Sequence, residues 1–386
     1  TGSRGRMTLA IKGGTPIRQT PFPSCNTIGA EERDAVLAVL DSGVLSQFVG
    51  AWGPDFLGGP RVRGLEAAWA RYFDVGHAVA MNSATSGLYA AVGAAGVSPG
   101  DEIIVSPYTM TASAAAAVVY GAIPVFADID PDTFCLDPQS VQACLTPRTR
   151  AVIGVDLFGH PAPWAALRRV TAGRDIVLIE DAAQAPGAMV DGRWAGTLAD
   201  IGVFSLNYHK TIHCGEGGVA VTDDPVLAER MQLIRNHGEA VVKAKREDNL
   251  VNLVGFNYRM TEIEAAIALE QLKKLEALVA PRVEAADYLT AWLGTMPGLT
   301  PPVVRPGVRH GYYVYAVKHD GSSTGVSRSW LVKALAAEGI PAHAGYVEPL
   351  YRQPMYQRGI ALGRDGFPFR QPGRAPVEYP DGLCPV

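Results

Sequence analysis

Lys210 stands where an exposed surface charge is not the obvious reading. It follows an apolar strand, Ile201 to Phe204, through Ser205-Leu-Asn-Tyr-His209. It precedes Gly215-Glu-Gly-Gly218, beyond which a second strand runs from Val219 to Thr222. A site between a buried strand and a glycine-rich turn can desolvate the ammonium, lower its pKa and free the amine to form a Schiff base. The alternative is an ordinary loop lysine, since most lysines are exposed. Upstream, Glu180-Asp-Ala-Ala-Gln184 ends a strand read at Ile176 to Glu180, so Asp181 sits where a sheet presents ligands. A carboxylate there can face a heterocyclic nitrogen and keep it protonated, the pairing that makes pyridoxal phosphate (PLP) an electron sink. It can also cap a turn or helix, the commoner fate of a strand-end aspartate. Gln184 can donate to a ring hydroxyl oxygen or satisfy backbone. Ala84-Thr-Ser-Gly87 opens a helix whose free amides and dipole suit a phosphate, although Ser and Thr are also the usual N-caps. Ser205 offers a further hydroxyl. His209 and His213 flank the lysine as substrate contacts or as structural histidines. Their H-x-x-x-H spacing falls in a loop and lacks the glutamate of a zinc helix, so no metal site is read.

These residues need a scaffold, and the chain alternates in the way that supplies one. Strands are expected at His77 to Met81, Glu102 to Val105, Ile123 to Ala127, Ala151 to Val155 and Ile176 to Glu180, with helices at Leu88 to Ala95, Ala112 to Tyr120, Ser140 to Leu145 and Trp164 to Val170. Strands with little internal polarity between helices predict an α/β fold with a parallel sheet covered on both faces. Ligands in such sheets bind at the carboxyl ends of the strands, where the polar residues above lie. Glu31 to Leu40 and Val62 to Phe73 read as amphipathic helices, and Ser46 to Arg63 as a loop over a site or a partner contact. After Pro225 to Asn236, Lys243 to Asp248 reads as a solvated charged loop. Thr261-Glu-Ile-Glu264 is a capping box opening a helix to about Leu278, followed by another from Arg282 to Leu293. A strand is expected at Tyr312 to Lys318, a helix at Ser329 to Glu338, and a Pro- and Gly-rich tail from Pro349. The expected organisation is a large domain over 13–278 and a smaller C-terminal α+β domain over 279–386, with 13–45 able to pack on the smaller one. Residues 1–12 are expected to be an appended or disordered start.

A net charge of −4 supplies no basic field, so nucleic acid and anionic membranes are not expected partners. Five cysteines, Cys25, Cys135, Cys144, Cys214 and Cys384, form no C-x-x-C pair and suit a reducing, cytoplasmic compartment.

Taken in order, the motifs resemble those of the DegT/StrS-type sugar aminotransferases, which are fold-type I PLP enzymes. The resemblance runs from about Gly13 to about Tyr356. It is carried by Ser83-Ala-Thr85, Pro107-Tyr-Thr109, Pro124-Val-Phe-Ala-Asp-Ile-Asp130, Glu180-Asp-Ala-Ala-Gln184, Phe204-Ser205, Lys210 with Gly215-Glu-Gly-Gly218, and Gly255-Phe-Asn-Tyr-Arg-Met260. It implies that Lys210 bonds to PLP and shuttles the proton, that Asp181 pairs with the pyridinium, and that Gln184 lies near the ring oxygen. It implies a phosphate site at Ala84, Thr85, Ser86 and Ser205. Asn257 looks like the asparagine that reaches the phosphate of the neighbouring subunit's cofactor, which implies a homodimer with shared active sites. Met110 stands where the family usually has an aromatic residue on the cofactor ring; a thioether can still cover that face. The implied reaction moves an amino group from glutamate or glutamine to a keto sugar, nucleotide-linked, or to a keto-cyclitol, in amino-sugar, natural-product or surface-glycan biosynthesis. Dehydratases of the same family carry histidine at the lysine position, and a regulatory relative need not keep Asp181, Gln184 and Lys210 together. Substrate candidates are His209, Arg259, Tyr312, His343 and Tyr346, with Arg61 and the loop Ser46 to Phe56 as further contacts. The family continues past a Cys-Pro-x-Ala-Glu-like segment, so a truncated end is expected at Cys384-Pro-Val386.

Overall fold

Seven apolar strands assemble into one sheet in the computed structural model, which describes residues 8–23, 26–373 and 375–386. The strands are β1 (His77–Met81), β2 (Glu102–Val105), β3 (Ile123–Phe126), β4 (Thr149–Val155), β5 (Val177–Asp181), β8 (Ile201–Ser205) and β9 (Gly218–Thr222); the short hairpin β6 (Met189–Val190) and β7 (Arg193–Trp194) lies outside the sheet. Their order is β1-β9-β8-β5-β4-β2-β3. Strands β8, β5, β4, β2 and β3 run parallel, and β9 is antiparallel to both its neighbours.

Side chains alternate across the pleat, and both faces are covered. Val79, Met81, Ile103, Val105, Ile153, Ile179 and Val203 face one core with helices α3 (Ala84–Ala94), α4 (Thr111–Val119) and α7 (Pro225–Arg235). Ala78, Ala80, Phe204, Val219 and Val221 face a second core, built on α2 (Pro60–Phe73) and a long helix, Glu262–Leu293. Ile104, Val152 and Leu178 face a third, which includes Val141 of α5 (Pro138–Cys144) and Leu167 of α6 (Trp164–Thr171). Double coverage is what near-continuous apolar strands require. The expected helix at Glu31 to Leu40 is α1 (Ala30–Ser42), lying along the long helix.

Several expectations change. The two helices expected on either side of residue 280 are one 32-residue helix with Pro281 inside it. Proline there removes one backbone hydrogen bond, but buried Val279 and Ala286 anchor both sides. The domain boundary expected after residue 278 therefore falls within a continuous helix. Tyr312 to Lys318 is not a strand; only Lys318–His319 pairs, with Leu299–Thr300. The segment instead crosses the turn after β4, where the Gly311 and Val314 N–H groups donate to Gly159 and Phe158, and Tyr312 takes φ 46°. The charged run at 243–248 contains a helical turn, Val242–Lys245, in which Lys245 pairs with Glu229 and covers the Trp52 ring. The tail from Pro349 returns to the sheet: Tyr351, Tyr356 and Tyr379 pack about Phe126, and Phe369 packs against Tyr356 and Tyr379. Of the expected start at 1–12, residues 1–7 lie outside the described residues. Ala10–Lys12 forms a turn whose Ala10 N–H donates to Glu338 Oε1 at 2.8 Å.

Candidate active site

The chain between β8 and β9 is a hairpin built to present one residue. Leu206 N–H donates to Gly217 O at 2.8 Å and Cys214 N–H to Leu206 O at 3.0 Å, closing its base. Ile212 and Cys214 are buried with Leu206 and Met260, so alternate residues tether the loop to the core. Gly215 takes φ 92°, a left-handed conformation that costs glycine little. Asn207 Nδ2 donates to Glu216 Oε2 at 2.8 Å across the loop. Lys210 is left at the tip, half-buried, with its ammonium 4.8 Å from the centre of the Tyr313 ring. Among the described residues Lys210 Nζ makes no hydrogen bond within 3.5 Å and no ion pair within 4.0 Å.

Asp181 closes β5, beside Val203 of β8. It is 5% exposed, and its Oδ2 accepts from Ser113 Oγ at 2.8 Å while Oδ1 accepts from the Ala183 N–H at 3.2 Å. Burial raises its pKa, opposed by those bonds and by the positive charge of Lys210. Burial likewise lowers the pKa of Lys210, opposed by Asp181. Each group is thus biased towards its neutral form, with the other pulling the opposite way across a gap. Gln184 Oε1 accepts from the Phe158 N–H at 2.8 Å, and its Nε2 donates to Tyr346 Oη at 2.9 Å. Tyr346 lies edge-on to Phe158 and Tyr108, at 5.1 and 5.6 Å between ring centres.

The residues expected to hold a phosphate lie at the start of α3. Ser83 caps the helix by accepting from the Ser86 N–H at 3.0 Å, and Ser86 Oγ donates to Asn82 Oδ1 at 2.6 Å. A Cβ on Gly218 would lie 2.5 Å from Ala84 N and Ser83 C, so only glycine lets β9 reach this turn. Gly218 pairs with Ser205 across the sheet, which brings Ser205, Ala84, Thr85 and Ser86 to one corner. Ser205 Oγ also accepts from the Asn207 N–H at 3.3 Å. The arrangement offers backbone amides and hydroxyls to an anion at a helix N-terminus.

The other expected residues scatter. Met110 caps α4 and is 60% exposed. Asn257 is exposed beside the same corner: its carbonyl accepts from Asn82 Nδ2 at 3.3 Å and its Oδ1 from Arg259 Nε at 2.8 Å. Arg259 is thereby held at the edge, within 3.5 Å of Asn236 Oδ1. His209 is exposed between Tyr208 and Tyr313, with its pKa lowered by burial and by Lys210. Tyr312 is not at the lysine; it is buried and stacked on His310 at 4.0 Å. Its neighbour Tyr313 takes that place, because the positive φ of Tyr312 turns the chain. His343 is exposed, and no hydrogen bond ties it to the site among the described residues. Sequence reasoning missed Ser113 and Tyr313, and it quoted Tyr108 only within the Pro107-Tyr-Thr109 motif, without a role. The one available signal was Ser113 itself, a lone hydroxyl in an alanine run.

By its sheet and by the solved structures it matches, the chain has the fold of the fold-type I aminotransferases. Of the solved structures it matches, DesI in the presence of its TDP-sugar product superposes with a TM-score of 0.77 at 34% identity, over 92% of this chain and 87% of that one. The chain belongs to the DegT/DnrJ/EryC1/StrS aminotransferase family, whose family model matches residues 26–368. Enzymes of this family are PLP-dependent in general. It is 38% identical to the L-glutamine:2-deoxy-scyllo-inosose aminotransferase of Streptomyces kanamyceticus, over 90% of this chain and 82% of that protein. It is 36% identical to the GDP-perosamine synthase of Caulobacter vibrioides, over 85% of each. No helix among the described residues is long and apolar enough to cross a membrane.

Proposed function

We propose that the site binds PLP and transfers an amino group from glutamine or glutamate to a keto-cyclitol or a nucleotide-linked keto sugar. The observation that carries this reading is the pair Lys210 and Asp181, an amine without an ion pair on the loop after β8 and a buried carboxylate at the end of the adjoining β5. The residues present fit the cofactor. Asp181 would meet its ring nitrogen, Gln184 the ring oxygen side, and Ala84, Thr85, Ser86 and Ser205 its phosphate. Bound there, PLP supplies a carbonyl for the amine and an electron sink. Lys210 would hold the cofactor through Nζ and would move the proton at the amino-bearing carbon of donor and acceptor. Asp181 would keep the ring nitrogen protonated. Two half-reactions in turn give ping-pong kinetics. The donor and acceptor classes follow from the relatives named above.

The same reading makes the enzyme a homodimer. Leu45, Val49 and Trp52 are exposed on a segment bonded to Asn236 and Glu262. Leu250, Val251 and Val254, on the segment leading to Asn257, are also exposed. Apolar exposure on this scale marks a contact surface, and it adjoins the asparagine expected to serve a second subunit. The free thiols Cys135, Cys144, Cys214 and Cys384 fit a reducing cytoplasm.

The test is reconstitution with PLP, borohydride reduction and peptide mass spectrometry, followed by half-reactions with glutamine and a panel of keto-cyclitols and TDP- or GDP-keto sugars. The expected result is a reduced cofactor on the Lys210 peptide and amination of one acceptor class. A protein that takes up no PLP, or carries it elsewhere, defeats the proposal.

A further inference from the structure

We propose that Ser113 is the positioning residue that aims the Asp181 carboxylate at the cofactor nitrogen. This rests on the PLP reading above. Ser113 lies in the first turns of α4 and is wholly buried. Its hydroxyl donates to Asp181 Oδ2 at 2.8 Å. With its hydrogen directed at the carboxylate, Ser113 Oγ can accept from Thr109 Oγ1, 3.5 Å away and also buried. The second oxygen, Oδ1, accepts from the Ala183 N–H. Donors on two separate elements, α4 and the turn after β5, thus fix the plane of the carboxylate.

The surroundings of Asp181 explain why a hydroxyl is needed. Lys210 faces it from the β8–β9 loop, Ser113 from α4, and Tyr346 from the segment that also meets Gln184. Lys210 supplies the one positive charge among them, and burial is the largest influence on the carboxyl. Hydrogen bonds to the charged form are what keep a buried carboxylate ionised. If Lys210 spends its charge on a covalent link, Ser113 and the Ala183 amide are the donors left to do so. The sequence of the helix agrees. In Thr111-Ala-Ser-Ala-Ala-Ala-Ala-Val-Val119 an alanine at 113 would suit the helix better and bury no polar atom. The hydroxyl earns its place through what it holds. Met110, the residue expected on the cofactor ring, caps the same helix, so one helical turn serves both the face and the nitrogen of the ring.

The test compares unaltered protein with Ser113→Ala and Ser113→Thr. Three quantities are read: PLP affinity by absorbance titration, the melting temperature, and the Asp181 carboxyl titration in cofactor-free protein. Infrared spectroscopy follows that titration, with Asp181→Asn assigning the band. Ser113→Ala is expected to weaken PLP binding about tenfold, the scale of one hydrogen bond to a charged group. It is also expected to move the Asp181 titration to higher pH, and Ser113→Thr to restore both. Affinity within twofold of the unaltered protein, with an unmoved titration, overturns the inference. So does a threonine variant as impaired as the alanine variant with an equal fall in melting temperature, because packing alone would then explain the loss. If the unaltered protein binds no PLP, the PLP reading fails and this inference with it. Normal PLP binding in both variants overturns the inference alone.

Discussion

Glu32 on α1 and Lys274 on the long helix approach to 2.7 Å, and Gln271 Nε2 and the Gly29 N–H complete the shell of the carboxylate at 2.7 Å each. Asp181 and Lys210 are also a carboxylate and a lysine in a covered place, yet they form no ion pair within 4.0 Å among the described residues. Burial pushes the Glu32 carboxyl up, but the bonds from Lys274, Gln271 and Gly29 outweigh it and hold it at about 2. Lys274 rises in return, chiefly through its bond to Glu32. At the other pair the signs reverse: Asp181 is raised and Lys210 lowered, burial leading in both cases. A satisfied pair locks two helices together and has nothing left for a ligand. An unsatisfied pair costs stability and keeps both groups available, which is why perturbed groups gather at functional sites.

Substitutions should separate the two regions by what they damage. Lys210→Ala is expected to lower the transamination rate by roughly 10⁴-fold, the upper end for a proton-moving side chain. Its melting temperature should stay level or rise, because a desolvated cation has been removed. A marked fall in melting temperature would break the comparison. Asp181→Asn keeps the shape and removes the charge. It should cost about 10²–10³-fold in rate, comparable with loss of one preorganised electrostatic contact, and circular dichroism should show the fold intact. Lys274→Met should do the reverse: it leaves Glu32 covered and short of one donor, at about 1–3 kcal/mol of stability. Urea unfolding measures that loss, and kcat with a saturating donor should not move.

The smallest effect sharpens the contrast through pH. The folded carboxyl of Glu32 titrates at about 2, below its ordinary 4.5, so its contribution is complete above pH 4.5 and is lost as pH falls towards 2. Asp181 in cofactor-free protein is shifted the other way from 3.8, so its contribution is present at low pH and is lost as pH rises through its folded value. Glu32→Gln should flatten the acid limb of a stability–pH curve between about pH 4.5 and 2. Asp181→Asn should flatten only a segment above 3.8. Equal changes on the same limb would show that the two carboxyls are not opposed.

Much of the scaffold was legible because it is periodic. His77–Met81 and Glu102–Val105 follow directly from their apolar runs, and the helix start at Thr261 follows from its capping box, whereas the helix expected from Ser329 begins at Arg328 with Ser327 as its cap. Errors arose where distant contacts overrule a local signal. Pro281 reads as a break, yet packing on both sides carries the helix through it. Tyr312 to Lys318 has the composition of a strand, but among the described residues no neighbouring strand pairs with 312–317, and the chain bonds to a turn instead. The glycines and prolines of the tail read as loop and conceal the aromatics that fill the core beside Phe126.

By itself the sequence determined which groups could do chemistry and their order along strand ends, since a period of two and a glycine turn are written in adjacent residues. Whether Lys210 is paired or uncommitted, that Ser113 grips Asp181, and that Tyr313 rather than Tyr312 covers the amine were decided only by the tertiary structure. Those contacts join residues tens to hundreds of positions apart. They depend on burial and distance, and neither has a local pattern from which it could be read.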